Sequence, residues 1–258
     1  MVTLTDNFFH KRLVISLAYL VCITCAELLT TRSPGYGITF HGLIIFALFI
    51  HSSLTNDQDL SKWLIVLIIA PLIRILSLST PSTQFSYFAW FLIISLPIYI
   101  AVFTCIRIQN IDLKDVGLVL PKLKFLPIEI ATIFLAFPLG LMEYYILKPG
   151  IIVEFSFEAM VIPSLIMIIS TGFLEELSFR GLLQYHATRT MGFYGIIFIS
   201  ALFGFLHIGN LSFSDVFFAG SVGFIYSLVV RKTGSIYGVT ISHGIINIML
   251  FLIAPHYF

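Results

Sequence analysis

The chain is divided into apolar runs that approach or exceed the length needed to carry a helix across a bilayer, and this constrains the fold before any motif does. Crossing a hydrocarbon core about 30 Å thick takes about 20 mostly apolar residues. The runs are Leu13–Thr31, Thr39–Leu54, Trp63–Ser79, Tyr87–Ile106, Phe125–Leu147, Met160–Gln184, Phe193–His207, Val216–Val230 and Ile236–Pro255. The composition, 59% hydrophobic against 10% charged, is far from that of a soluble domain. A formal net charge of +1 argues against nucleic acid as a partner. The expected fold is all-α, a polytopic transmembrane bundle of eight or nine helices. The second and seventh runs are short, which leaves open eight spans and a partial helix.

Basic residues set the expected orientation. With nine spans and a cytoplasmic N-terminus, Lys11, Arg12, Lys62, Arg107, Lys114, Lys122, Lys124, Arg189, Arg231 and Lys232 fall on the inside, against Arg32 and Lys148 outside. The positive-inside rule then favours N-in and C-out, a multi-pass protein of the cell membrane if the source is prokaryotic. The stretch Leu13–Ala26 is followed by Glu27 and Leu28 instead of a clear small-residue cleavage site, so the first run reads as a span and signal anchor. The charged linker Gln109–Phe125 divides an N-terminal four-span unit, residues 1–124, from a five-span unit, residues 125–258.

Polar groups inside the apolar runs carry the chemistry. Glu175-Glu176-Leu177-Ser178-Phe179-Arg180 lies in the sixth run. An unpaired charge in hydrocarbon costs at least about 2.5–3.5 kcal/mol, so such groups pair, face a bundle interior and mark function. Glu176 and Arg180 stand at i,i+4 in the favourable order and can neutralise each other. Glu175, about 100° further round the helix, has no cation at helical spacing. His207 ends the seventh run, and His243 and Asn247 lie one turn apart on the ninth. Glu175 and His207 stand at similar distances from the turn at 189–192, roughly 21–23 Å at about 1.5 Å per residue, which puts them at one level.

The order Glu-Glu-x-x-x-Arg, Phe-x-x-x-His (Phe203 to His207) and His-x-x-x-Asn resembles the three motifs of the CAAX protease and bacteriocin-processing family of intramembrane glutamic endopeptidases. That family includes the type II CAAX prenyl endopeptidases. The resemblance covers about residues 160–254 and includes the continuation Phe179-Arg180-Gly181-Leu182-Leu183-Gln184. It implies hydrolysis of a peptide bond in a membrane-associated or lipidated protein, without a cofactor. The same resemblance assigns Glu175 as the base that activates water, His207 as its helper and Asn247 with His243 as oxyanion donors. Glu176 and Arg180 support them. A carboxylate in a low-dielectric cavity holds a proton more strongly and so makes a better base near neutral pH.

Other readings remain open. Glu175, His207 and His243 together form a possible zinc set, ranked lower because His-Glu-x-x-His is absent. A non-catalytic immunity or scaffold protein of the same family is a second class. A proton-coupled transporter is a third, although no repeat or pair of broken helices supports it. Ser178 and Ser242 are expected to bond their own helix backbones, and Cys22 and Cys25 to pack. Glu27 and Arg74 are expected to pair across helices or sit near interfaces. Glu129 and Glu143 are expected near the headgroups.

Overall fold

The structure is a computed structural model that describes residues 4–258, with side chains from Phe9 onward except at Ser82. Among the described residues nine helices are long and apolar enough to cross a membrane, and no strand is present. They are α1 (Phe9–Arg32), α2 (Pro34–Leu54), α3 (Gln58–Ser79), α4 (Tyr87–Ile108), α5 (Leu123–Leu147), α6 (Phe157–Met191), α7 (Phe193–Asn210), α8 (Phe213–Thr233) and α9 (Tyr237–Tyr257). The two spans expected to be short are full length. Pro34 occupies the first turn of α2, where its missing N–H costs nothing, so the helix begins before the apolar run does. The other, α7, continues past His207 as a 3₁₀ turn over Ile208–Asn210. Many large apolar side chains point outward, among them Phe46, Leu96 and Phe134, as lipid contact requires.

Two compact units divide the chain, Met1–Ser79 with Leu182–Phe224, and Thr80–Gly181 with Ile225–Phe258. Both α6 and α8 contribute to each unit.

The first unit is built on α1, α2, α3, the end of α6, α7 and the first part of α8. Arg12 holds Asp57 with two bonds of 2.6 Å, and Asp57 caps α3 by accepting from Leu60 N at 3.2 Å. That contact ties the start of α1 to the start of α3. The Asp57 carboxyl is held below the usual carboxylate range, chiefly by the Arg12 bond. Trp63 is fully buried; its indole N–H donates to Ser16 Oγ at 3.0 Å and its ring meets Phe198 edge-on at 5.3 Å.

The second unit is built on α4, α5, most of α6, the end of α8 and α9. Ser86 and Ser156 cap α4 and α6 by accepting from Ala89 N and Ala159 N. Buried Phe88, Met167 and Leu252 form one apolar cluster, and Tyr144, Leu250 and Ala254 another. The helix α6 is not α-helical throughout. Met167–Phe173 and Leu177–Leu183 are π-helical, with only Leu174–Glu176 in α geometry between them. Such wide turns are rare and concentrate at functional sites. Between α6 and α9 the backbones touch. A Cβ on Gly172 would lie 2.8 Å from Thr240 O, and one on Gly244 would lie 2.7 Å from Ile168 Cγ1. Small residues allow this approach where lipid offers no hydrophobic drive between helices. It brings the polar positions of α9 within bonding reach of those on α6.

Candidate active site

The polar centre of the second unit is organised by Glu176, which has no exposed surface. One of its oxygens, Oε1, accepts from Arg180 Nη1 at 2.8 Å and from His243 Nδ1 at 2.8 Å. The i,i+4 pair expected from spacing is present, and the π turn that begins at Leu177 does not break it. Because the carboxylate takes Nδ1–H, the orientation of the His243 ring is set and Nε2 points the other way. Its neighbour there is Glu175, whose Oε2 lies 3.9 Å from Nε2. Glu175 is the least enclosed of these groups, with 31% of its side chain exposed. Two adjacent carboxylates thus occupy different environments, one buried and shared between two cations or donors, the other open to its surroundings.

Asn247, one turn beyond His243, donates from Nδ2 to Thr171 Oγ1 at 2.8 Å, and Thr171 in turn donates to Met167 O within the first π stretch. An amide held this way keeps a second N–H for another acceptor. Behind these groups, Tyr226 OH bonds Ser242 Oγ at 2.6 Å, and Ser242 donates to Thr132 O on α5 at 2.7 Å. The Arg180 guanidinium lies 5.7 Å from the Tyr226 ring centre, within cation–π range. Glu143 is among the charges that act on Tyr226, with Glu176 and Arg180.

Several expectations need correction. Ser178 bonds its own backbone, at Leu174 O, but Ser242 joins α9 to α5 and to Tyr226 instead. Glu129 and Glu143 are buried inside the second unit. Thr171 and Tyr226 are silent in the sequence, since a threonine and a tyrosine in apolar helices carry no charge signal. Glu143 carried one, a carboxylate in an apolar run.

His207 belongs to the first unit. Its Nδ1–H donates to Phe203 O at 2.8 Å, which leaves Nε2 as the basic nitrogen. The loop that follows is fixed by Asn210, which donates to buried Asp215 at 2.8 Å. Glu27 and Arg74 do pair across helices, Nε to Oε1 at 2.9 Å and Nη2 to Oε2 at 2.8 Å. His41 Nε2 lies 3.4 Å from the same carboxylate. The thiols of Cys22, Cys25 and Cys105 are free.

With this geometry described, residues 157–249, about a third of the chain, match the family model of type II CAAX prenyl endopeptidase Rce1-like proteins. This is an Rce1-like segment. It bears out the resemblance read from the motifs, and Glu175, Glu176, Arg180, His207, His243 and Asn247 all fall inside it. No curated protein and no solved structure matches the chain. The Rce1-like family is one of proteases, so the activity class indicated for the chain is peptide-bond hydrolysis. With nine apolar helices long enough to span a bilayer among its described residues, the chain is a multi-pass membrane protein.

Proposed function

We propose that the protein is an intramembrane endopeptidase in which Glu175 activates water to cleave a membrane-associated or lipidated protein, of which prenylated CAAX proteins are the class named by the family. The observation that carries this reading is the division of labour between the two glutamates. Glu176 is committed to Arg180 and His243, while Glu175 is partly exposed beside His243 Nε2.

Glu175 takes a proton from water as the oxygen attacks the scissile carbonyl carbon, which leaves an oxyanion. Collapse of the tetrahedral adduct breaks the C–N bond, and the proton held by Glu175 passes to the departing amine. Asn247 donates its second N–H to the oxyanion. His243 as the imidazolium adds Nε2–H, its other N–H being spent on Glu176. Glu176 and Arg180 position that ring and balance its charge. His207 orients water and shuttles its proton through Nε2, a role that rests on the Phe203-x-x-x-His207 motif within the matched segment. We place the N-terminus in the cytoplasm on the distribution of basic residues.

The test is cleavage of a quenched-fluorescence peptide ending in a prenylated Cys-aliphatic-aliphatic-X sequence by the purified protein, with and without strong chelators. Cleavage unaffected by chelation supports glutamate chemistry. Cleavage lost on chelation and restored by zinc overturns it and makes the same side chains metal ligands.

A further inference from the structure

Arg74 has more bonds than neutralising Glu27 requires. A guanidinium that served only to balance a buried carboxylate would be complete with its Nε and Nη2 contacts to Glu27. Here Nη2 also donates to Leu206 O at 2.5 Å, across 132 positions of sequence. Leu206 caps the α-helical part of α7, where carbonyls lack intrahelical partners and favour a cation. The plane of the same guanidinium lies against Gly209, where a Cβ would be 3.4 Å from Nη1 and 3.7 Å from Cζ. Between these two holds lie His207 and Ile208.

We propose that Arg74, clamped by Glu27, is a positioning residue for His207. It fixes the loop from Leu206 to Gly209, while the Nδ1 bond to Phe203 O fixes the ring itself. This rests on the role given to His207 above. Glu27 on α1 and Arg74 on α3 lie outside the matched segment, so the N-terminal spans would contribute to the reaction through this contact. A lysine at position 74 cannot make a two-point contact with Glu27 and reach Leu206 O as well, because its charge is a single point on a flexible stem.

The test combines kinetics with hydrogen exchange in the full-length protein. Arg74→Lys should lower kcat by about 10-fold with KM within about 2-fold of wild type, since a positioning defect falls on the chemical step. The same substitution in a His207→Ala background should cost less than about 2-fold, because coupled residues are non-additive. Exchange at His207, Asn210 and Leu211, whose N–H groups bond Gly204 O, His207 O and Ile208 O, should accelerate by about 10-fold in Arg74→Lys. Glu27→Gln, which keeps an acceptor for Nε, is the second variant should Arg74→Lys not fold, with the same pattern at about 3-fold. Equal losses in the wild-type and His207→Ala backgrounds, or unchanged exchange in this loop, overturn the proposal. A wild-type rate for His207→Ala overturns instead the role assigned to His207, and the proposal with it.

Discussion

Each unit buries a carboxylate–guanidinium pair, and the two pairs differ in what they leave unfinished. Glu27 and Arg74 come from different helices, form a two-point contact and direct their spare N–H at a backbone carbonyl. Glu176 and Arg180 come from one helix, and the shared Oε1 also holds His243, next to a second, partly exposed glutamate. The first arrangement fixes backbone through the Arg74 bond to Leu206 O. The second is open on one side, where Glu175 is partly exposed and Asn247 keeps a second N–H. On the proposed reading, charge buried inside the protein serves support in one unit and chemistry in the other.

The contrast is tested most severely by removing a cation. Arg180→Ala leaves Glu176 buried and short of a partner, and breaking a fully buried pair costs about 3–5 kcal/mol. The expected result is loss of folded protein, read by thermal unfolding in detergent. Arg74→Ala should cost less, because the Arg74 side chain is 17% exposed and water can reach its partner. Normal stability of Arg180→Ala with activity lost would move Arg180 from support into the reaction and break the contrast.

Next in size is the open side of the second pair. Asn247→Ala should reduce the cleavage rate by about 10²–10³-fold, the usual cost of one oxyanion donor, with the melting temperature little changed. Thr171→Val removes the hydroxyl that orients the amide, together with its bond to Met167 O, and should fall between that variant and wild type. Equal effects for the two would mean that Asn247 is a packing residue.

A smaller effect is expected where α6 meets α9. Gly244→Ala places a methyl group 2.7 Å from Ile168 Cγ1, and overpacking of this kind costs about 1–3 kcal/mol. If His243 and Asn247 depend on that close approach, the rate should fall more than the folded fraction does. Loss of the two in proportion would show that the approach matters for stability alone.

The apolar runs were legible in the sequence because hydropathy over a span-length window is nearly a physical measurement of membrane fit. Their ends were less so. The sixth run, expected as Met160–Gln184, extends over Phe157–Met191, since Gln184, His186, Thr188 and Arg189 continue the helix without being apolar. The Glu176–Arg180 pair was legible because both partners lie within one turn. The Glu27–Arg74 partnership could only be named as an option, since pairing across helices depends on packing that spacing does not encode. The π turns, the Thr171–Asn247 bond and the Ser242–Thr132 bond were illegible for the same reason. They follow from how closely α6, α5 and α9 approach, which is decided by glycines whose neighbours lie far away in sequence.

The smallest effect belongs to the surface of the first unit. The Asp57 carboxyl is lowered by its Arg12 bond, so it contributes stability above its unfolded value, about pH 4. That contribution is lost as pH falls through the lower folded value. Asp57→Asn should flatten the acid limb of a stability–pH curve below about pH 4 and leave neutral activity intact. A reduced cleavage rate at neutral pH would tie this capping contact to the chemistry.

The claim that the two neighbouring glutamates do different work is tested most directly by the cleavage rate of Glu175→Gln per folded molecule. The amide keeps the shape of the side chain and removes the lone pair that accepts water's proton. The account predicts a fall of about 10²–10⁴-fold with unaltered thermal unfolding. A rate within about 3-fold of wild type, in protein that melts normally, would contradict it and leave Glu175 no part in activating water.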